Sequence, residues 1–278
     1  MQIRVAGVQF AVGPDPRQNL EKAVRLLALA AEKGARLVAF PELSIYPWFP
    51  RTVGPEPFLL AEPVHGPAVT AMQEAARRAE AVVVFPFFET AVEGQEVGYY
   101  NAAAVIDADG RLVGVYRKNH IPQIPPLYEE RHYFRPSDAG FPVFDTAVGK
   151  LGVQICWDNF YPEGARILGL KGAQIVVAPT AGATFAAHNK WETAIAANAI
   201  ANGYYVLRVN RVGDDGPMRF YGRTFCVNPH GEFAAEPAGD KDGVVLVNLD
   251  LRAVDAAREQ WAFFRDRRAG EVYGELVR

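Results

Sequence analysis

Short apolar runs that stop at a turn residue alternate along this chain with segments whose apolar residues recur at helical spacing. That alternation restricts the fold more than any other feature. Residues 3–10, Ile3-Arg4-Val5-Ala6-Gly7-Val8-Gln9-Phe10, place apolar groups at alternate positions, as a strand does. Asp15-Pro16 then opens a helix, with aspartate as N-cap and proline in the first turn. Leu20, Val24, Leu27, Ala28 and Ala31 follow at helical spacing, and Gly34 ends the segment. Leu37-Val38-Ala39-Phe40 reads as a short buried strand halted at Pro41, which has no N–H for a ladder. A second helix fits 67–79. Strands fit 81–88, 100–107 and 111–117, the last two joined at Asp109-Gly110, a hairpin signal.

The second half repeats the theme: a strand at 151–156, a helix at 162–171, a strand at 174–178 and a helix at 188–202. Strands at 204–209, 221–227 and 243–249 follow, and the tail after Asp250 begins as a short helix. Strand–helix alternation with interspersed hairpins predicts mixed sheets covered by helices, an α/β layered fold. No Pro/Gly/Ser linker, fixed-period repeat or low-complexity stretch divides the chain, so one domain over 1–278 is expected.

Composition narrows the function classes. Half of the 278 residues are hydrophobic, enough for a substantial core. The 32 acidic and 29 basic residues give a net charge of −3, with no electrostatic case for nucleic acid or an anionic membrane. No apolar run approaches the ~20 residues of a membrane helix, and Met1-Gln2-Ile3-Arg4-Val5 does not read as a signal peptide. With only Cys156 and Cys226, a disulfide framework is not in evidence and a reducing, cytoplasmic setting is expected. Five scattered histidines, without paired Cys or His at ligand spacing, argue against a structural zinc site. No cofactor is called for.

Cys156 lies in Val153-Gln154-Ile155-Cys156-Trp157-Asp158, at the end of a predicted strand, with a helix expected from about Pro162-Glu163. A nucleophile at such an elbow is held outward and meets backbone N–H groups that can bind an oxyanion. The same position also suits a buried structural cysteine. Glu42, in Phe40-Pro41-Glu42-Leu43, and Lys118, in Tyr116-Arg117-Lys118-Asn119-His120-Ile121-Pro122, also follow strands. Strand ends are where α/β folds place working groups. Glu130 sits in Tyr128-Glu129-Glu130-Arg131-His132-Tyr133-Phe134. Taken singly, each reads equally as a solvated loop residue or a member of an ordinary ion pair. Together they form a sufficient kit for amide hydrolysis. A thiol of pKa about 8.5 needs help to ionise, and a carboxylate can take its proton. A fixed ammonium and a backbone N–H then stabilise the oxyanion, each such donor being worth roughly 3 kcal/mol in barrier.

In their order, Phe40-Pro41-Glu42, Tyr116-Arg117-Lys118 and Ile155-Cys156-Trp157-Asp158 resemble the signature motifs of the nitrilase superfamily of carbon–nitrogen hydrolases. The resemblance runs from Val8-Gln9 to the tail. It implies an αββα four-layer sandwich, a Glu42–Lys118–Cys156 triad, and Glu130 as a second carboxylate near the cysteine. It also implies that sandwiches pair into homo-oligomers. Lys118-Asn119-His120-Ile121-Pro122, Glu130-Arg131-His132-Tyr133-Phe134, Tyr161-Pro162-Glu163-Gly164-Ala165-Arg166 and Phe264-Arg265-Asp266-Arg267-Arg268 are most similar to N-carbamoylputrescine amidases, with β-ureidopropionases next. Ser137 departs from a glycine often seen before Asp138, and Asn159-Phe160 depart from bulkier polar or aromatic partners.

The expected reaction is hydrolysis of a carbamoyl or amide group, with Trp157 N–H and Lys118 on the oxyanion. A nitrilase, an omega-amidase and a non-catalytic interaction module are the alternatives. N-carbamoyl-D-amino-acid hydrolases of this superfamily carry paired arginines shortly after the cysteine, where this chain has Asn159 and Phe160. Without that fork an α-carboxylate beside the carbamoyl group loses its bidentate partner. A cationic or neutral tail is therefore easier to accept, with Asp158 and Glu192 as candidate acids for an amine. His120, near the site by this reading, is a candidate substrate-binding residue, while His132 and His188 read as hydrogen-bonding walls and Cys226 as a core residue. Trp261, Phe263 and Phe264 mark the tail, about 259–278, as a subunit contact.

Overall fold

Asp15 caps the first helix as its place before Pro16 predicts: its Oδ1 accepts from the Arg17 N–H at 2.9 Å. At the other end Gly34 takes φ +87° and turns the chain back towards a strand. The structure, a computed structural model, describes residues 1–183, 187–268 and 270–277. Its first half runs β1 (Gln2–Gln9), α1 (Pro16–Glu32), β2 (Leu37–Ala39), α2 (Pro67–Ala79), β3 (Val82–Glu93), β4 (Glu96–Ile106) and β5 (Leu112–Arg117). The short α3 (Glu130–Tyr133) leads to β6 (Val143–Thr146), β7 (Gly149–Val153), α4 (Pro162–Leu170), β8 (Ile175–Thr180), α5 (His188–Asn202) and β9 (Tyr205–Asn210). The hairpin β10 (Val212–Asp215) and β11 (Met218–Tyr221), then β12 (Phe225–Val227), β13 (Gly243–Asp250) and α6 (Arg252–Trp261), complete the order.

Two mixed sheets result. The first has the order β13-β1-β2-β3-β4-β5, parallel across β1–β2–β3 and antiparallel elsewhere. The second has the order β12-β9-β8-β7-β6, parallel across β7–β8–β9. Strand alternation sorts the side chains. Ala6 and Val8 of β1 pack with Ala23, Leu27 and Ala30 of α1, whereas Val5 joins Leu151 and Val153 of the second sheet. Ala165 and Leu168 of α4 and Ile195 and Ala199 of α5 cover that second sheet. The layers are therefore helix, sheet, sheet, helix. Each fully buried Val, Leu or Phe in them contributes about 1.5–3 kcal/mol of burial.

Several elements differ from the sequence expectation. The strand ending in the cysteine stops at Val153, because the Ile155 N–H is taken by Asp158 Oδ2 at 3.1 Å and leaves the ladder. Cys156 then opens a 3-10 turn, Cys156–Phe160. The strand expected over 221–227 is broken where Gly222 and Arg223 both take positive φ. Met218–Tyr221 pairs with β10 as a separate hairpin, and only Phe225–Val227 joins the sheet. Strands β3 and β4 run further than their apolar alternation, to a Glu93–Glu96 pair, held by Arg117 on Glu89 and Glu93. The edge strand β6 is too short to announce itself.

The two sheets approach closely at Gly7. A Cβ there would lie 2.6 Å from Thr224 Cγ2 and 3.3 Å from Val209 Cγ2. Thr224 cannot yield freely, since its Oγ1 accepts from the Asn210 N–H at 3.1 Å. Gly7→Ala is expected to cost about 1–3 kcal/mol by overpacking. Chemical denaturation checks this: an unchanged midpoint would show that the sheets have slack at this point.

Candidate active site

Strand ends bring four side chains to one place. Glu42 follows β2 in a turn where Leu43 takes φ +48° and Ser44 Oγ donates to Pro41 O at 2.5 Å. Lys118 follows β5 and stays in register, its N–H donating to Asn101 O at 2.9 Å. Glu130 is the first residue of α3. Cys156, at φ +47°, sits on the turn beyond β7, a conformation that a non-glycine residue adopts only when its surroundings impose it.

Lys118 Nζ donates to Glu42 Oε1 at 2.7 Å and to Glu130 Oε2 at 2.6 Å, and all three side chains are fully buried. Asn101 Nδ2 donates to the same Glu42 oxygen at 2.8 Å. With water excluded, each charge depends on the others, and removing one partner of such a group typically costs about 3–5 kcal/mol. Burial opposes the charge on Lys118, but Glu130, Glu42 and Cys156 together hold its pKa well above the usual lysine value. Burial pushes Glu130 up to about 7 against the pull of Lys118. Burial and then Glu42 raise the Cys156 thiol well above its ordinary value, with Lys118 and the Ala181 N–H pulling the other way. The resting thiol is therefore protonated at neutral pH, and nucleophilic attack requires a base.

Asp158 is also fully buried, and internal donors occupy its carboxylate. Tyr116 Oη donates to it at 2.6 Å, His120 N at 2.9 Å and Ile155 N at 3.1 Å, with His120 Nδ1 at 2.8 Å. It ties the segment after β5 to the cysteine turn rather than offering a free acid to a substrate. His120 stacks on Tyr161 with centroids 3.7 Å apart. With Trp157, Gln123 and Arg131 these two line a cavity of about 650 Å³ beside the cysteine turn. Glu192 is engaged by Arg223. His132 lies against Phe58 and Tyr133, and His188 opens α5. Cys226 is a core residue of β12 whose thiol burial pushes up to about 12. Trp261 and Phe263 stack on each other at the surface.

Sequence reasoning missed several groups near the cysteine. Tyr128 has its phenol pKa raised by burial and then by Cys156, with the Ala183 backbone pulling the other way. Arg208 and Tyr221 also interact electrostatically with Cys156. Arg211, buried against Tyr46 O at 2.8 Å, interacts with Glu42. Only Arg208 left a readable sign: one charge inside the apolar run Tyr205-Val206-Leu207-Arg208-Val209.

A fold of two stacked mixed sheets with a buried Glu–Lys–Glu cluster beside a cysteine defines a hydrolase class that other chains share. The carbon–nitrogen hydrolase family profile matches residues 4–259. The chain is 37% identical over 291 residues to an N-carbamoylputrescine amidase of Solanum lycopersicum, covering 99% of this chain and 95% of that protein. A carbon–nitrogen hydrolase structure from Helicobacter pylori G27 matches with a TM-score of 0.92 at 35% identity, covering 100% of this chain and 99% of the other. A mutant of the amidase from Nesterenkonia sp. AN1, with the acetamide moiety of fluoroacetamide covalently added at its active site cysteine, matches with a TM-score of 0.79. It is 26% identical, covering 96% of this chain and 94% of the other. The chain belongs to the carbon–nitrogen hydrolase family, as its three motifs led us to expect, and is an enzyme of that class.

The raised Glu130 pKa has a consequence for stability. Between about 4.5 and about 7 the native state keeps a proton that the unfolded chain has released, so stability falls as pH rises through that window. Glu130→Gln removes this contribution. Thermal unfolding at pH 5 and pH 8 should show the variant gaining on the wild type at the higher pH. A constant difference between the two proteins would mean that Glu130 titrates normally.

Proposed function

We propose that this enzyme is a thiol amidohydrolase that cleaves a C–N bond of small linear ureides through a covalent acyl-cysteine. The buried Lys118, shared by Glu42 and Glu130 beside a protonated Cys156, carries the reading. Glu42 takes the thiol proton as Sγ attacks the carbonyl carbon. Lys118 and the Trp157 N–H hold the oxyanion. The proton passes to the leaving nitrogen and ammonia departs. Glu42 then activates water, which cleaves the thioester, while Glu130 positions substrate or water. A ureide leaves a substituted carbamate, which falls to carbon dioxide and the free amine. The N-carbamoylputrescine amidase relative supports a ureide, and the acetamide adduct of the Nesterenkonia amidase supports a cysteine nucleophile.

Cys156→Ala should abolish turnover with an unchanged circular dichroism spectrum. Glu42→Gln and Lys118→Ala should each lower kcat by about a hundredfold or more, because both groups act mainly in the transition state. Mass spectrometry of trapped enzyme should find the adduct on Cys156 and none on Cys226. Ammonia release at the wild-type rate from Cys156→Ala would end the mechanism. The substrate class is tested by kcat/KM for N-carbamoylputrescine, N-carbamoyl-β-alanine, an N-carbamoyl-D-amino acid and an aliphatic nitrile. Preference for the nitrile would overturn the ureide reading, and preference for the N-carbamoyl-D-amino acid would overturn the expectation drawn from Asn159 and Phe160.

The tail belongs to the same proposal. Exposed Trp261 and Phe263, stacked with centroids 5.8 Å apart, are read as a contact between subunits of a homo-oligomer. Trp261→Asp should lower the molar mass seen by light scattering. A wild-type protein that is monomeric at micromolar concentration would refute the contact.

A further inference from the structure

Arg208 lies in β9 and its guanidinium is almost wholly buried. Its Nη2 donates to Tyr221 Oη at 2.9 Å and its Nη1 to Arg223 O at 3.2 Å, while Nε has no partner among the described residues. The rings of Trp191, Tyr221 and Phe225 surround it at 5.1, 5.3 and 5.6 Å. Among the described residues the other two fully buried cations have carboxylates: Lys118 has Glu42 and Glu130, and Arg211 has Asp215 at 3.8 Å. Among the described residues no carboxylate pairs with Arg208. Glu192, the acid that acts on it, is taken by Arg223. A buried charge without a counter-ion is costly.

Its location explains why that cost is borne. The Ala181 backbone amide acts on the Cys156 thiol and pulls its pKa down. The next residue, Gly182, is clamped by Asn210, which accepts its N–H at 2.7 Å and donates to its carbonyl at 3.1 Å. A Cβ on Gly182 would meet Arg208 Nη2 at 3.0 Å and Tyr221 Oη at 3.1 Å. The guanidinium and phenol thus stand against the residue next to Ala181, about 3.8 Å of chain from the amide that acts on the thiol, and both interact electrostatically with Cys156.

We propose that Arg208, with Tyr221, receives a carboxylate at the remote end of the substrate, so that the enzyme prefers ureido acids over ureido amines. This inference rests on the ureide reading above and deepens it. The site is then polarised: Glu42 and Glu130 serve the carbamoyl end and Arg208 the far end. A carboxylate there gains the counter-ion that the buried guanidinium lacks, out of water. A protonated amine there meets a like charge. This departs from the cationic or neutral tail expected from Asn159 and Phe160: the missing fork bears only on a carboxylate beside the carbamoyl group, and neither Asp158 nor Glu192 is free to serve an amine.

The test uses Cys156→Ala protein and calorimetry with three ligands of one length: 4-ureidobutyrate, its carboxamide, and N-carbamoylputrescine. The acid should bind at least about tenfold more tightly than the carboxamide, and the amine least well. In Cys156→Ala/Arg208→Gln the acid-to-carboxamide ratio should fall towards one, and Arg208→Lys should keep part of it. In enzyme with Cys156 intact, Arg208→Gln should raise KM for the acid more than it lowers kcat. Equal weakening of all three ligands, or an acid preference that survives Arg208→Gln, overturns the proposal, as does tightest binding of the amine. The same three remote ends on a primary amide head separate the two readings. Rejection of every ureide, with an Arg208-dependent preference for the amide acid, would sink the ureide reading and uphold Arg208. A preference absent from both series would sink Arg208.

Discussion

One ammonium shared between two carboxylates, all three side chains fully buried, is the constraint on which this site depends. Lys118 contacts Glu42 and Glu130 at 2.7 and 2.6 Å from the end of β5. Those acids come from the end of β2 and the start of α3. The cluster therefore joins three segments far apart in the chain. Its cost is desolvation, and its return is mutual charge neutralisation in a low-dielectric interior. Burial, and after it the charge of Glu42, keeps the Cys156 thiol protonated beside this cluster.

A second buried acid sets the geometry of the cysteine turn. Asp158 takes donors from Tyr116, His120 and Ile155, so it joins the segment carrying Lys118 to the turn carrying Cys156. The left-handed φ of Cys156 persists because this turn is overdetermined. Asn159 adds to it, its Nδ2 donating to Gln154 O and Cys156 O, both at 3.0 Å. Asn198 of α5 in turn donates to Asn159 O at 2.9 Å. The polar residues after the cysteine thus act as fasteners, and their side chains are spent before a substrate arrives.

Charge is unevenly placed around the cysteine. The acids Glu42 and Glu130 lie with Lys118, while the unpaired cation Arg208 lies beyond Gly182. On the proposal made above, these buried groups of opposite sign would give a small substrate a fixed direction. Direction of that kind is how a few buried groups confer specificity in an otherwise apolar cleft.

The sequence by itself determined the layered α/β fold, because strand and helix periods are local properties of residues such as Val5 to Val8 and Leu20 to Ala31. It also determined that Glu42, Lys118 and Cys156 sit at strand ends, where the motifs place them. Tertiary structure alone decided which acids are available. Asp158 and Glu192 look like any other carboxylates in the sequence, and only packing shows the donors that occupy them. The same holds for Arg208, whose missing counter-ion is a fact about space rather than spacing. The break at Gly222–Arg223 and the stop of β7 at Val153 were equally illegible, since a side chain competing for a backbone N–H ends a strand without altering its apolar pattern.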